Sequence, residues 1–393
     1  MSWRPGLLLL AALAAVGPAN AAAEAGPETA APAAATAAAP PAADEPAGFD
    51  MSEWLLDRKG FLPVPIVITE PAVGYGGGLA FLFFRDSLRA AAERKAAGRH
   101  ATPPDIYGVA VAATENGTKF GGGGALLTFK DDRWRYRGAV GNADANLTFY
   151  GAGGDLGTGD DSIEFNLDGW VSSQEGLLRL GGTNHFVSAR WVYLDLDSRF
   201  DDDQAEPVLT DEQRAVRDSG LGVSWEYDSR DTIFTPSRGR LASVESLFYE
   251  PAFGSENAFR TARAHLFAYV PAGKAIVVGL RADARAARGD VPFYQLPYID
   301  LRGIPALRYQ DDNVTVVEAE LRWNVTPRWA AVAFAGAGRA WGRASWDAAG
   351  TPDTQGIGFR YLIASRLGMY TGIDYAVGPE EHAWYLQVGS GWR

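Results

Sequence analysis

The stretch "VVEAELRWNV" (316–325) alternates between apolar residues and mostly charged residues along its whole length. Successive side chains of a β-strand point to opposite faces, so this pattern predicts a strand with one apolar and one polar face. The apolar face carries Val317, Ala319, Leu321, Trp323 and Val325, and the other carries Val316, Glu318, Glu320, Arg322 and Asn324. A strand of about 10 residues is long enough to cross a bilayer when tilted.

The same period of two recurs at 221–228, at 276–285 and at the C-terminus. In the last stretch, 382–392, Trp384, Leu386, Val388 and Trp392 share one face. A soluble β-sandwich also alternates, but strands this long with aromatic residues near their ends are typical of outer-membrane barrels. We therefore predict an all-β fold, a transmembrane antiparallel barrel of about 16 strands. Its first strand is expected at 73–84, and two short strands are expected within 162–182.

The N-terminal segments predict export. Residues 1–21 have the apolar core and the small-residue "ANA" site of a signal peptide, and the Ala/Pro-rich residues 22–48 are expected to form a disordered linker. Residues 49–62 are predicted as a short interfacial helix, with a lumen plug as the alternative. The barrel is then expected over 63–393, which places the chain in the bacterial outer membrane.

Composition excludes several classes of function. The chain has no cysteine, a net charge of −12 and a pI of about 4.9, which argues against a nucleic-acid partner. The four histidines, His100, His185, His265 and His382, show no ligand spacing. We therefore predict no catalytic residue, no cofactor and no metal site. The expected partners are outer-membrane lipids and a separate periplasmic or outer-membrane protein.

The motif "LRGIP" (301–305) lies in a connection, 291–310, that is too apolar for a solvated loop. We predict that this connection folds into the lumen. An arginine carried inward must be paired, and Glu318 and Glu320 lie on the lumen face of the strand that follows. Gly303 allows a tight backbone turn beside Arg302.

Three motifs resemble the BamA/TamA superfamily of outer-membrane assembly factors, also called bacterial surface antigens. "LRGIP" resembles the V/L-R-G-F/Y motif of the sixth extracellular loop. "YDSRDTIFTPSRGR" (227–240) resembles a periplasmic turn with conserved spacing, which assigns roles to Asp228, Arg230, Asp231, Pro236 and Gly239. "VVEAELRWNV" resembles the strand after the loop, whose glutamate pairs with the loop arginine. The resemblance implies Glu320 as that partner, with Glu318 as second choice.

The sequence also departs from the superfamily pattern. Gly336 in "FAGAG" stands where an aspartate is usual, so Asp374 is the candidate second partner of Arg302. No room for the periplasmic POTRA domains is expected in residues 22–48. The resemblance implies an insertase or translocation role in protein or lipid handling. The alternative is a passive channel in which the charged lumen selects small solutes, and an outer-membrane enzyme is the least favoured hypothesis.

Glycines concentrate where the barrel is expected to close. Gly74, Gly76, Gly77 and Gly78 lie in the expected first strand, and Gly389 lies near Trp392 in the last. Glycine within a strand costs roughly 0.5–1 kcal/mol relative to alanine, so a weak closing seam is predicted. Such a seam would be a lateral gate. The other interpretation is that the glycines make room for the inserted loop.

Overall fold

The computed structural model describes residues 48–56, 60–70, 72–85, 105–149, 163–200, 215–232, 234–342 and 351–392. The predicted signal peptide and nearly all of the predicted linker lie outside these ranges. Sixteen antiparallel strands follow one another around a single sheet in sequence order, which confirms the fold class. The strands are β1 (Gly60–Glu70), β2 (Gly74–Phe84), β3 (Ile106–Thr114), β4 (Lys119–Phe129), β5 (Trp134–Phe149), β6 (Ile163–Arg179), β7 (His185–Phe200), β8 (Ala215–Asp228), β9 (Gly239–Tyr249), β10 (Phe259–Ala272), β11 (Ile276–Gly289), β12 (Asn313–Asn324), β13 (Trp329–Trp341), β14 (Asp353–Ala364), β15 (Met369–Val377) and β16 (His382–Val388).

Alternation separates a lumen face from an outer face along the strands. On β12, Val316, Glu318 and Arg322 are buried, whereas Val317 and Leu321 are exposed. In a barrel the exposed row faces lipid, and the buried row faces the interior. The faces read from "VVEAELRWNV" are therefore confirmed.

The total of 16 strands is confirmed, but two of the strand assignments are wrong. Residues 163–179 form one long strand, β6, rather than two short ones. The first strand is β1, "GFLPVPIVITE", and the glycine-rich stretch expected to be first is β2. The two errors cancel in the count. Strand structure therefore begins at Gly60, before the expected start of the barrel at residue 63.

The extra first strand reverses the predicted location of two connections. We call the end where β1 begins and β16 ends the periplasmic end, and the opposite end the outer end. The turn at 115–118 joins β3 to β4 at the outer end, although it was expected at the periplasmic end. Conversely, β2 ends and β3 begins at the periplasmic end, so the prediction that the connection 85–104 lies at the outer end is wrong. Most of its residues lie outside the described ranges.

Helical structure is scarce in the described chain. One helix, α1 (Ser52–Leu56), lies within the predicted interfacial segment. None of the described helices is long and apolar enough to cross a membrane.

The interior of the barrel is filled by connections from both ends. From the outer end, the connection between β11 and β12 folds inward, as predicted, and buries Ile299, Leu301 and Ile304 against Val314 and Val316 of β12. From the periplasmic end, the connection between β8 and β9 crosses the mouth of the barrel. There the hydroxyl of Thr235 accepts a hydrogen bond from the backbone N–H of Tyr370 on β15 (3.2 Å), and Ser237 accepts one from Arg322 on β12 (2.5 Å).

The two faces of β12 give a direct test of membrane depth. Ala319→Arg places a charge on the outer face near the middle of the strand and should destabilise the barrel by about 2–4 kcal/mol, against about 0–1 kcal/mol near an interface. The matched control is Val325→Arg, on the same face just beyond the end of β12. The measurement is denaturant unfolding in liposomes. Equal destabilisation by both variants would contradict the placement of the middle of β12 in the hydrocarbon region.

Candidate functional site

Arg302 lies at the centre of a buried ionic cluster in the lumen. Its Nε and Nη2 donate hydrogen bonds to the same oxygen of Glu318, at 2.9 and 2.6 Å. Nη2 is also 2.9 Å from Glu320 Oε2, and Nη1 donates to Asp374 Oδ2 at 2.7 Å. We call these four residues the Arg302 cluster. The structure thus brings together every carboxylate that the sequence offered for the arginine, with Glu318 rather than Glu320 accepting two hydrogen bonds.

Neighbouring residues hold the arginine in place. The guanidinium carbon lies 3.5 Å from the ring centre of Phe334 on β13, a cation–π contact in a desolvated site. Asp374 is fully buried, and it also accepts hydrogen bonds from Arg360 on β14 (2.5 and 2.9 Å). The Arg360 contact could not be read from the sequence motifs. Each charge of the Arg302 cluster therefore has an opposite charge in contact, which a buried site requires.

Glycines let the loop approach the wall closely. Gly303 has a φ of +91°, a conformation that favours glycine, and its backbone N–H donates to the Tyr385 hydroxyl (2.9 Å). A Cβ on Gly336 would lie 2.8 Å from Leu301 of the loop. Gly336 thus gives the loop the space that a side chain would occupy, and Asp374, on β15, supplies a carboxylate to Arg302.

The C-terminal tail also ends at the Arg302 cluster. β16 stops at Val388, and Gly389, with a φ of +82°, begins a turn into the lumen. Trp392 is buried there and donates its indole N–H to Glu318 Oε2 (2.8 Å). A Cβ on Gly279 of β11 would lie 2.7 Å from the Trp392 ring. The prediction that Trp392 continues the outer face of the last strand is therefore wrong.

Paired charges continue from the cluster around the lumen wall. Asp283 on β11 accepts hydrogen bonds from Arg263 and Arg285, and Glu175 on β6 is in ion pairs with Arg137 and Arg190. The other members are Glu226, Glu245, Arg281 and Asp300. These residues come from seven successive strands, β5 to β11, and from the inserted loop. We call this set the charged wall.

The periplasmic turn motif is built around one ion pair. Asp228 accepts two hydrogen bonds from the guanidinium of Arg230, at 3.0 and 2.8 Å, and both residues are buried. Asp231 accepts from the backbone N–H of Ser237 (3.0 Å), which closes the turn. Gly239 has a φ of +98° at the start of β9, and Pro236 is buried. These contacts hold the backbone of the turn between β8 and β9.

The barrel has an unsealed seam between β1 and β16. Within the described residues, hydrogen-bonded ladders join every pair of consecutive strands, but none joins β1 to β16. β16 has only 7 residues, whereas β1 has 11, so the two edges differ in length. The glycines expected at this seam, Gly74, Gly76, Gly77 and Gly78, lie on β2 instead, one strand away.

Two prolines weaken the free edge of β1. The ladder between β1 and β2 is uninterrupted, and the carbonyl of Ile66 faces Gly77 of β2. Backbone N–H and C=O groups alternate sides along a strand. Pro63 and Pro65 lie at odd distances from Ile66, so their backbone groups point away from β2 and towards the seam. A proline has no N–H to donate. The seam edge of β1 therefore lacks two donors that pairing with β16 would need.

Negative charges crowd the outer end of the seam. Glu70 ends β1, and Glu380 and Glu381 lie in the turn between β15 and β16. Burial, together with the charges of Glu70 and Glu380, raises the pKa of Glu381. Like charges at this rim oppose close approach of the two edges.

One arrangement of described residues in the lumen has the residue types of a hydrolase. The Ser243 hydroxyl on β9 lies 3.0 Å from Nδ1 of His265 on β10, and Asp283 on β11 is paired opposite His265 in the β10–β11 ladder. The hydrogen bonds to Asp283 come from Arg263 and Arg285, and none from His265 is present among the described residues. The described residues also contain no His, Asp and Glu group suited to a metal.

Comparison with known families decides the assignment. The Omp85 superfamily domain matches residues 139–379, which is more than half of the chain. The chain belongs to the Omp85 superfamily. It is an outer-membrane barrel, and barrels of this superfamily are assembly and transport proteins rather than enzymes.

Solved Omp85 barrels share the fold at low sequence identity. BamA from Haemophilus ducreyi lacking POTRA domains 1–3 is 11% identical with a TM-score of 0.57, and the match covers 84% of this chain and 70% of that one. CdiB from Acinetobacter baumannii is 12% identical (TM-score 0.55; 84% and 59%), and CdiB from Escherichia coli is 11% identical (TM-score 0.57; 83% and 62%). The chain thus spans about three fifths of each CdiB. No curated protein matches the sequence.

Removal of Arg302 should destabilise the barrel strongly. Arg302→Ala removes the central cation that three buried carboxylates share, and removal of one partner of a buried ion pair typically costs about 3–5 kcal/mol. The matched control is Arg308→Ala, in the same loop, because its pair with Glu380 is partly exposed and should contribute about 0–1 kcal/mol. Tryptophan fluorescence during denaturant unfolding measures both. A loss for Arg302→Ala no larger than that of the control would show that the Arg302 cluster does not stabilise the barrel.

Proposed function

We propose that this Omp85 barrel is an insertase or translocation-type protein that handles outer-membrane proteins or lipids through its seam. The observation that carries the proposal is the unpaired boundary between β1 and β16 in an otherwise continuous sheet. Strand edges exposed to hydrocarbon are unfavourable, because backbone groups there have no water to bond. An edge that is left unpaired is therefore available to the bilayer or to a client. Lipids are the expected first partner, with a separate protein as the expected second.

The Arg302 cluster links the seam to the inserted loop. Glu318 accepts hydrogen bonds both from Arg302 of the loop and from Trp392 of the tail that follows β16. A displacement of β16 at the seam would pull on the tail and alter one partner of the arginine. We infer that the position of the loop and the state of the seam are coupled through this carboxylate.

The second candidate function is a passive channel for small solutes. The charged wall would supply the selectivity, and Arg281, Arg285, Glu318 and Arg322 all face the lumen. The filled lumen counts against it, since the inserted loop and the tail occupy the centre and the first three of these residues are already in ion pairs. We therefore favour the seam over the lumen as the functional route.

Crosslinking the seam tests the proposal. The chain has no native cysteine, so Val67→Cys on β1 with Leu386→Cys on β16 can be joined by a short bis-maleimide without side reactions. The matched control is Ile373→Cys with Leu386→Cys, which are register partners in the β15–β16 ladder. Proteoliposomes report two activities, folding of an added unfolded β-barrel and scrambling of a fluorescent phospholipid. Crosslinking the seam should abolish at least one of them, and the control crosslink should leave both unchanged.

The outcomes separate the two candidate functions. If the seam crosslink leaves both activities at the uncrosslinked level, or if neither activity is present, the seam proposal fails. Single-channel conductance in a planar bilayer then tests the alternative. A large, steady wild-type conductance that Arg302→Ala hardly changes would favour the channel. A small conductance that widens in Arg302→Ala would show that the loop closes the lumen.

A further inference from the structure

The N-terminal segment 49–56, which we call the strap, lies across the periplasmic end of the seam. On one side it is fastened by polar contacts to the end of β14, to the turn that follows β14 and to the turn before β13. The carboxylate of Asp50 lies 2.7 Å from Arg328 Nη1 and accepts a hydrogen bond from the Ser365 hydroxyl (2.5 Å). The backbone N–H of Met51 donates to the carbonyl of Ile363 (2.7 Å), and the Tyr361 hydroxyl donates to the carbonyl of Phe49 (2.8 Å).

On the other side the strap is held by apolar packing. Leu55 is buried in one cluster with Leu62 of β1, Leu82 and Phe84 of β2, and Ile106 of β3. The same cluster contains Ala364 at the end of β14, with Met369 of β15 packed against it. Its members therefore come from both sides of the seam, and Leu55 of α1 lies among them.

The strap bridges the seam at the end where β16 stops. β16 ends at Val388 and the tail then turns into the lumen at Gly389, so the last strand does not extend beside the first residues of β1. Pro63 and Pro65 remove backbone donors from this half of the β1 edge. Strand pairing does not close the seam here among the described residues, and the strap contacts both of its sides.

We propose that the strap is a latch that holds the periplasmic end of the seam closed and must leave before that end opens. The proposal rests on the seam being the functional route, and it adds a regulator to it. Asp50 is the polar anchor and Leu55 is the apolar anchor. Hydrogen bonds from Ser365 and Ser52 and the contact with Arg328 outweigh burial and hold the pKa of Asp50 well below its ordinary value. The anchor therefore stays charged in mildly acidic medium.

Spin-label distances at the two ends of the seam test the latch. Labels at Phe83 and Val388 report the periplasmic end, and labels at Tyr75 and Trp384 report the outer end; all four side chains lie on the outer face. Asp50→Ala and Leu55→Asp should each add a population in which the Phe83–Val388 distance is longer by about one strand spacing, roughly 5 Å. The Tyr75–Trp384 distance should not change.

The control variant is Glu53→Ala. Glu53 lies on the same helix as Leu55 and is in an ion pair with Arg366, but both side chains are about half exposed, at 53% and 50%, so the pair contributes little. This variant should leave both distances at their wild-type values. Asp50→Ala removes only the polar anchor, and it provides the test if Leu55→Asp does not fold.

Two results would overturn the latch. One is an unchanged Phe83–Val388 distance in Asp50→Ala, which would mean that the polar anchor does not hold the seam. The other is an equal change at both ends, which would mean that the strap supports the whole barrel rather than one end. The distances are measured on the protein alone, without client or lipid transfer. The latch can therefore be tested by these distances even if the proposed function fails.

Discussion

The need to pair one buried cation organises the interior of this barrel. Arg302 enters the lumen on a loop from the outer end, and a charge removed from water is costly unless opposite charges and hydrogen bonds meet it. Glu318, Glu320 and Asp374 come from two different strands to do so. Because Glu318 also binds Trp392, the same site fixes the loop, two strands of the wall and the tail of the last strand. Those elements can move only if the contacts of Arg302 are exchanged for others.

The charged wall and the seam divide the barrel into two unlike parts. From β5 to β11 the interior is cross-linked by ion pairs, some between neighbouring strands and some between strands further apart, which adds side-chain bonds to the backbone ladders. β1 to β3 instead present apolar or small lumen residues, such as Leu62, Ala80 and Ala110. Motion at the seam therefore meets less resistance in β1 to β3 than in the charged wall.

The sequence predicted the fold class because alternation is a local property that every strand displays. It also predicted the inward loop and the set of carboxylates for Arg302. It could not rank Glu318 over Glu320, because residues two apart share a face and only the position of the loop distinguishes them. It missed β1, because Pro63 and Pro65 argue against a strand unless that strand lies at an edge. The inward turn of Trp392 depends on Gly389, and a pattern of alternation does not register such a turn.

The prolines also explain how an unpaired edge can exist inside a bilayer. An exposed N–H in hydrocarbon costs several kcal/mol, so most β-barrels close completely. A proline at the edge removes the donor that pairing would use and, with it, the cost of leaving that donor unpaired. A proline at the edge thus makes the closed seam weaker and the open seam less unfavourable. At the periplasmic end, where the prolines lie, both effects reduce the free-energy difference between the two states, so the contacts of the strap carry more weight there.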